Sequence, residues 1–516
     1  MQTEKEYLIG REINSLRCES VGEYSLPDYN GDVKKLLTVK AKVFPSGKFV
    51  GEDTLEFSGS VGYEIVYLDS ENNMTHAEFS TDYEAAVKIS AESYVDSDVK
   101  TSVSGCNVRL VGPRKLMVKC SLDNDVYISE RRTYRIDGDA FMEYEPELLG
   151  AVAHISTPSF TSGQAREITE EMASIEGAIA DEVEMLVSDA RFDLGALDTD
   201  GDKVSIVGTV TVSTLIKNAE QTPRLITKQI PYSEELSLED AEELEMLTAR
   251  LDIYGMKSTV TPTDDGVSLL VSLSAAPHVM GKKNCSLDLV SDAYLKERGA
   301  LNEYADFGYN EHICTESKEE SFEFKMPLSE LGIEVGSEVI YSEAQARVEG
   351  CELLENGVLV KGEIRFNGIA TNTNENEEVN YYPIRFSAEY TQNVNMNCQI
   401  HDNMRAHCAI NVTDPKMYFD ENNICASVNV TSFVTLGAQK RQRCLGASYL
   451  TDEEYKADAS VVTVYYPDAS ESLFGIAKKF HTSVREIAIS NKLTESVFAS
   501  SDAPLGVHGI KKLLIK

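Results

Sequence analysis

The sequence predicts a mainly β protein: three tandem antiparallel β modules with ordered linkers, followed by a small βααβ domain. Three observations lead there. First, a strand-like alternation recurs in "LEFSGSVGYEIVYL" (Leu55 to Leu68), "VSIVGTVTVSTLIK" (Val204 to Lys217) and "VLVKGEIRFNGIAT" (Val358 to Thr371). Each run carries a glycine at the same place, Gly59, Gly208 and Gly362, spaced 149 and 154 residues apart, which is the mark of a repeat architecture. Second, an aromatic-Ser pair follows each glycine, in "EFSTDY" (Glu78 to Tyr83), "PYSEEL" (Pro231 to Leu236) and "RFSAEY" (Arg385 to Tyr390). Third, period-2 alternation gives way to helical spacing only after Val462.

The modules are expected over 36–130, 188–280 and 339–445. Within each, two strand-like runs are joined by turn residues: "CNVRLVGPRKLMVKCSL", "KSTVTPTDDGVSLLVSL" and "CAINVTDPKMYFDENNICASVNV". Asp265-Gly266 and Asp420 to Asn423 supply turn chemistry between β-branched runs. "SDARF" (Ser188 to Phe192) and "SEAQARV" (Ser342 to Val348) open the second and third copies. The linkers, 131–187 and 281–338, contain apolar residues of their own, as in "EITEEMASIEGAIADEVEMLV", and are expected to be ordered, holding a helix or an extra strand.

Length and charge bound the function. A chain of 516 residues exceeds one ordinary core and divides into several domains. Its 85 acidic and 48 basic residues give a net charge of -37. That balance argues against a nucleic-acid partner, which needs a concentrated positive surface. The segment from Val461 to Lys516 differs, with seven Lys or Arg against five Asp or Glu; it carries +2 and the preceding 460 residues carry -39. Met1 to Gly10 lacks the basic-then-apolar order of an export signal, and no apolar run approaches the roughly 18 residues of a membrane span. A cytosolic protein is expected, with its ten cysteines as small core residues and not a disulfide framework.

No catalytic constellation stands out: there is no phosphate-cradling glycine loop with its lysine, no G-x-S-x-G elbow and no H-E-x-x-H. We therefore expect no enzyme and no cofactor. "CQIHDNMRAHC" gathers Cys398, His401, His407 and Cys408, but adjacent His407 and Cys408 point to opposite faces of a strand. A core cysteine with solvent-side histidines fits this run better than zinc. "DTDGD" (Asp198 to Asp202) is similar to a calcium loop, yet Ala196 and Val207 stand where carboxylates are required, so a polar hairpin turn is expected. "EDAEELE" (Glu239 to Glu245) reads as a solvated acidic face.

The terminal segment is the most legible part. "VTVYY" (Val462 to Tyr466) is a short strand that Pro467-Asp468 breaks. Leu473, Ile476, Ala477 and Phe480 then share one helical face, and "HTSVRE" offers Ser483 with Glu486 as a capping box for a second helix. "IKKLLIK" returns to the first strand, giving βααβ over 461–516.

This order resembles a LysM domain, on Tyr465 or Tyr466, "ESLFGIAKKF", "TSVREI" and "NKL" (Asn491 to Leu493). The resemblance implies a shallow groove for N-acetylglucosamine-containing glycans. Ser470, Glu471, Ser472, Leu473 and Phe474 would form one side; Asn491, Leu493 and the following loop would form the other. The family's Gly-Asp-Thr turn is here Ala469 to Ser472, and its Pro-Gly-Gln is replaced by "HGIKK" (His508 to Lys512), which makes a protein ligand an alternative to a sugar. The strand-Gly-strand and aromatic-Ser pattern is similar to the SPOCS domain. Together the two resemble the SipL-type spore-coat morphogenesis proteins of endospore-forming Firmicutes. The resemblance implies a sporulation protein of the mother-cell cytoplasm that is recruited to the forespore surface. It would be a non-catalytic scaffold of the spore coat, whose LysM domain docks to the coat basement-layer ATPase and which meets other coat proteins. The alternative is a peptidoglycan or N-acetylglucosamine-binding protein of the cell wall or spore cortex. Neither reading includes a nucleic acid or a transmembrane segment.

Overall fold

The computed structural model of the chain describes residues 4–28, 30–218, 223–373, 378–456, 461–468, 470–493 and 510–515. Antiparallel strands dominate it, so the mainly β expectation holds. Long strands form because β-branched and aromatic residues alternate with polar ones between turn residues.

Residues 4–135 supply β1 (Glu4–Ser25), β2 (Val33–Val50), β3 (Thr54–Asp69), β4 (Met74–Lys88), β5 (Tyr94–Gly112) and β6 (Lys115–Arg135). They pair as two three-stranded sheets, β2-β3-β4 and β1-β6-β5. The β3–β4 turn shows the local chemistry: Asp69 Oδ1 accepts from the Glu71 and Asn73 amides at 2.9 and 2.8 Å. Asn72 there adopts φ 65°, a left-handed conformation that asparagine tolerates. Val61, Tyr63 and Ile65 of β3 meet Leu116, Val118, Cys120 and Leu122 of β6 in one core. Burying each large apolar side chain of this kind stabilises by roughly 1.5–3 kcal/mol before entropic costs.

The four-residue α1 (Asp139–Met142) precedes β7 (Glu147–Ser162), β8 (Arg166–Glu176), β9 (Glu184–Asp200), β10 (Lys203–Lys217), β11 (Pro223–Ser237), β12 (Met246–Thr263) and β13 (Gly266–Tyr294). One sheet runs β11-β10-β9; in the other, β13 lies between β12 and the pair β7 and β8. Next come β14 (Arg298–Pro327), α2 (Leu328–Leu331), β15 (Glu338–Leu354), β16 (Gly357–Thr373), β17 (Val379–Asn395), β18 (Met404–Asp420) and β19 (Asn423–Glu454). Their sheets are β15-β16-β17 and β14-β19-β18. Val210 and Val212 face Val267, Leu269 and Val271, as Ile364 and Phe366 face Ile424, Ala426 and Val428.

The linker stretches are therefore strands of the sheets: β8 pairs with β13, and β14 pairs with β19 along its whole length. "EITEEMASIE" makes a strand and no helix, because its acidic residues stand on the open face of an edge strand. "EDAEELE" holds one turn of 3-10 helix, Ala241–Glu243, and Asp198 to Asp202 spans the β9–β10 turn with Gly201 at φ 59°.

The repeated glycines have a steric reason. A Cβ on Gly59 would lie 2.7 Å from the Tyr83 ring, and on Gly362 2.6 Å from the Tyr390 ring and 2.3 Å from the Arg347 carbonyl. In the second copy the ring over Gly208 comes from Phe192, 2.5 Å from such a Cβ.

The meander sheets touch head to tail: β4 meets β9, β11 meets β15, and β17 meets β2. Val66, Leu215 and Ile369, each at the same offset from its glycine, join Leu37, Val187 and Tyr341 in one shared core. Beside it Lys40, 8% exposed, places its ammonium 2.8 Å from Asp189 Oδ2 and 2.8 Å from Glu343 Oε1. Burial lowers its proton affinity, but the two carboxylates outweigh burial and its pKa is raised. A second shared core gathers Ile9 of β1, Tyr134 of β6, Ile155 of β7, Leu289 of β13, Tyr309 of β14 and Leu445 of β19.

Candidate docking site in the terminal module

Four short elements complete the chain: β20 (Thr463–Tyr465), α3 (Leu473–Lys479), α4 (Val484–Asn491) and β21 (Leu513–Ile515), with β20 and β21 antiparallel. Ser472 begins α3 because its hydroxyl accepts from the Gly475 amide at 3.0 Å. His481, at φ 51°, turns the chain. Ser483 and Glu486 then form the reciprocal capping box, with 3.0 Å and 2.9 Å hydrogen bonds. The Ser483 amide is the main cause that holds the Glu486 carboxyl below its ordinary pKa. Lys492, left-handed at φ 52°, ends α4.

The expected groove residues divide into four groups. Ser470 is exposed in the turn before α3. Glu471 and Ser472 hold that turn: Glu471 accepts from the Tyr465 hydroxyl at 2.7 Å and from the Asp468 amide at 2.9 Å, and the Tyr465 bond keeps its carboxyl acidic. Leu473 is fully buried, Phe474 is 6% exposed, and Leu493 is partly buried in the same core. Asn491 ties α4 to β21; its amide donates to the Ile487 and Leu514 carbonyls at 2.8 and 2.7 Å, and its oxygen accepts from the Leu514 amide at 2.7 Å. The loop expected to finish the groove, Thr494 to His508, lies outside the described residues, as does Ala469.

Phe474 is buried against Tyr294, the last residue of β13, in an edge contact at 5.1 Å. The Tyr294 hydroxyl donates to the Thr482 carbonyl at 2.6 Å, and burial raises that phenol's pKa. Lys478 reaches both oxygens of Asp292 at 2.7 Å, and His481 stacks on Tyr455 at 3.5 Å. The seat residues Asp292, Tyr294 and Tyr455 were not among the sequence candidates, since nothing local marks a strand end as the platform for a distant helix. Seated this way, the module turns outward Val464 and its cross-strand partner Leu514, with Tyr466 at 71% and Ile489 at 66% exposure. Lys479, Arg485, Lys492, Lys511 and Lys512 are exposed on the same module.

Elsewhere the charged clusters satisfy themselves. A cavity of about 320 Å³ includes Lys48, Asp98, Asp252, Tyr254 and His278 in its lining. Arg250 donates to both Asp98 oxygens at 2.5 and 2.8 Å and to Asp252 at 2.9 Å. Burial raises the Asp98 pKa, but Arg250 outweighs burial and leaves the carboxyl below its ordinary value. Burial pushes His278 down, and its Nε2 lies 3.0 Å from the Tyr254 hydroxyl. Among the described residues no group of three or more His, Cys, Asp or Glu is placed to hold a metal. The reading of both motif histidines as solvent-side needs correction. His401 is exposed, but the His407 ring turns inward, its Nε2 is buried without a hydrogen-bond partner, and burial lowers its pKa.

No family model, curated protein or solved structure matches the chain. No helix among the described residues is long and apolar enough to cross a membrane.

Proposed function

We propose that this chain is a non-catalytic scaffold of endospore coat assembly. Residues 4–135, 147–294 and 298–454 serve as three SPOCS-like sandwiches, the second and third extended over the stretches expected as linkers and the first over the strand that precedes it. The terminal βααβ unit acts as a LysM-type module that docks the chain to the coat basement-layer ATPase at the forespore surface. The observation that carries this reading is the seating of the terminal module. Its Phe474 and Lys478 face the acidic body, while Val464, Tyr466, Ile489 and Leu514 stay exposed. Exposed apolar side chains on a module that also exposes several Lys and Arg fit a protein partner, and the burial of Leu473 and Phe474 removes two expected sugar contacts. The mutually satisfied Arg250 and Lys40 clusters fit an architectural role.

A fluorescent fusion followed through sporulation tests this. Recruitment to the forespore surface that is lost on deleting 461–516 is expected. Diffuse fluorescence unaffected by the deletion sinks the reading.

A further inference from the structure

The "CQIHDNMRAHC" run takes a different role from either one its sequence suggested. Its cysteines, Cys398 and Cys408, bracket the connection by which the chain leaves β17 and enters β18, crossing from one sheet of the third sandwich to the other. Both meet a thiol from another strand in one apolar cluster that collects Cys314, Cys351, Cys398 and Cys408. Cys314 Sγ of β14 lies 2.7 Å from Cys398 Sγ. Cys351 of β15 and Cys408 of β18 lie in that same cluster, on strands that pack against each other. The first contact holds the connection to β14; the second crosses between the two sheets.

We propose that Cys314 with Cys398, and Cys351 with Cys408, are two dithiol sites that a hydroperoxide oxidises to disulfides, locking the β17–β18 connection onto the third sandwich. The steps balance. Cys351 sulfur attacks one peroxide oxygen; the S–O bond forms, the O–O bond breaks, and hydroxide leaves as water. Cys408 sulfur then attacks the resulting sulfenic acid; the S–S bond forms and a second water leaves. One hydrogen peroxide and two thiols thus give one disulfide and two waters, and the first pair follows the same course.

Exposure agrees with this division of roles. Cys351 is partly exposed and Cys408 is buried, so Cys351 is the thiol that meets the peroxide first. Burial pushes the Cys314 thiol up to about 12, which makes it the resolving partner in the Cys314–Cys398 pair. Cys106 is exposed and lies directly across the β5–β6 ladder from Cys120; its oxidation, to a sulfenic acid or to a disulfide with Cys120, reports that the oxidant reached the protein.

The full chain, purified reduced, is treated with hydrogen peroxide, then alkylated and digested without reductant for mass spectrometry. Peptides joining Cys314 to Cys398 and Cys351 to Cys408 are expected, together with a raised thermal midpoint that reductant reverses. In the Cys314→Ser variant Cys398 should appear as sulfinic acid, while the Cys351–Cys408 link persists. Oxidation of Cys106 with all four clustered thiols still alkylated overturns the proposal, as does scrambled linkage among the four.

Discussion

Replacing Lys40 with methionine removes the cation that Asp189 and Glu343 share. The methylenes keep their packing, so the change isolates charge. Glu343 is 6% exposed; losing one partner of a buried ion pair costs about 3–5 kcal/mol, because the charge left behind stays desolvated. The Asp189 side chain is 40% exposed and can be hydrated, while Tyr341 and Gln345 still donate to Glu343 at 3.2 and 2.9 Å. Both reduce the cost, which we place at about 3 kcal/mol, roughly two orders of magnitude in the unfolding equilibrium. Urea titration followed by tyrosine fluorescence reads this, since the chain has 24 Tyr and no Trp. A triple variant, Lys40→Met with Asp189→Asn and Glu343→Gln, leaves no orphan charge and should return to within about 1 kcal/mol of the parent. If Lys40→Met alone unfolds at the parent midpoint, the triad does not join the three meander sheets as described.

Three further outcomes are expected. At the β4–β9 joint, His76 Nδ1 lies 2.7 Å from Glu184 Oε1; burial opposes the imidazolium, but Glu184 and Glu78 raise its pKa from 6.5 to about 9. The folded value is the higher one, so this stabilisation is full below about pH 6.5 and is lost as pH rises through about 9. Relative to a His76→Gln variant it should amount to about 3 kcal/mol, read as the difference between urea midpoints at pH 6 and pH 10. Gly362→Ala forces a Cβ against the Arg347 carbonyl and the Tyr390 ring, and should lower stability by about 1–3 kcal/mol in the same assay. Tyr294→Ala removes the Phe474 contact and the Thr482 hydrogen bond, and should raise amide exchange in α3 and α4 while leaving β16 and β19 protected.

The mainly β class was legible because apolar side chains alternate so regularly in Val204 to Lys217 and Val358 to Thr371. The strands β8 and β14 were harder to read. An edge strand covers the core with one face only, and "TESKEESFEFKM" carries six charged residues against three apolar ones. In the terminal module the capping box could be read directly, since it depends on Ser483 and Glu486 three residues apart. Ile476 and Phe480 also fell on the apolar face that their spacing gives. The seat could not be read: Tyr294 and Thr482 are 188 residues apart, and helical periodicity marks a buried face without naming what covers it. Phe474 therefore looked like groove surface when it is packed against β13.

Affinity purification from sporulating cells, using the full chain and a chain ending at Ser460 whose circular dichroism is checked for retained β structure, tests the scaffold reading most directly. The coat basement-layer ATPase should co-purify with the full chain and disappear with the shortened one, and neither chain should be retained by insoluble peptidoglycan. Co-purification that survives the truncation, or strong peptidoglycan retention that depends on 461–516, contradicts the account.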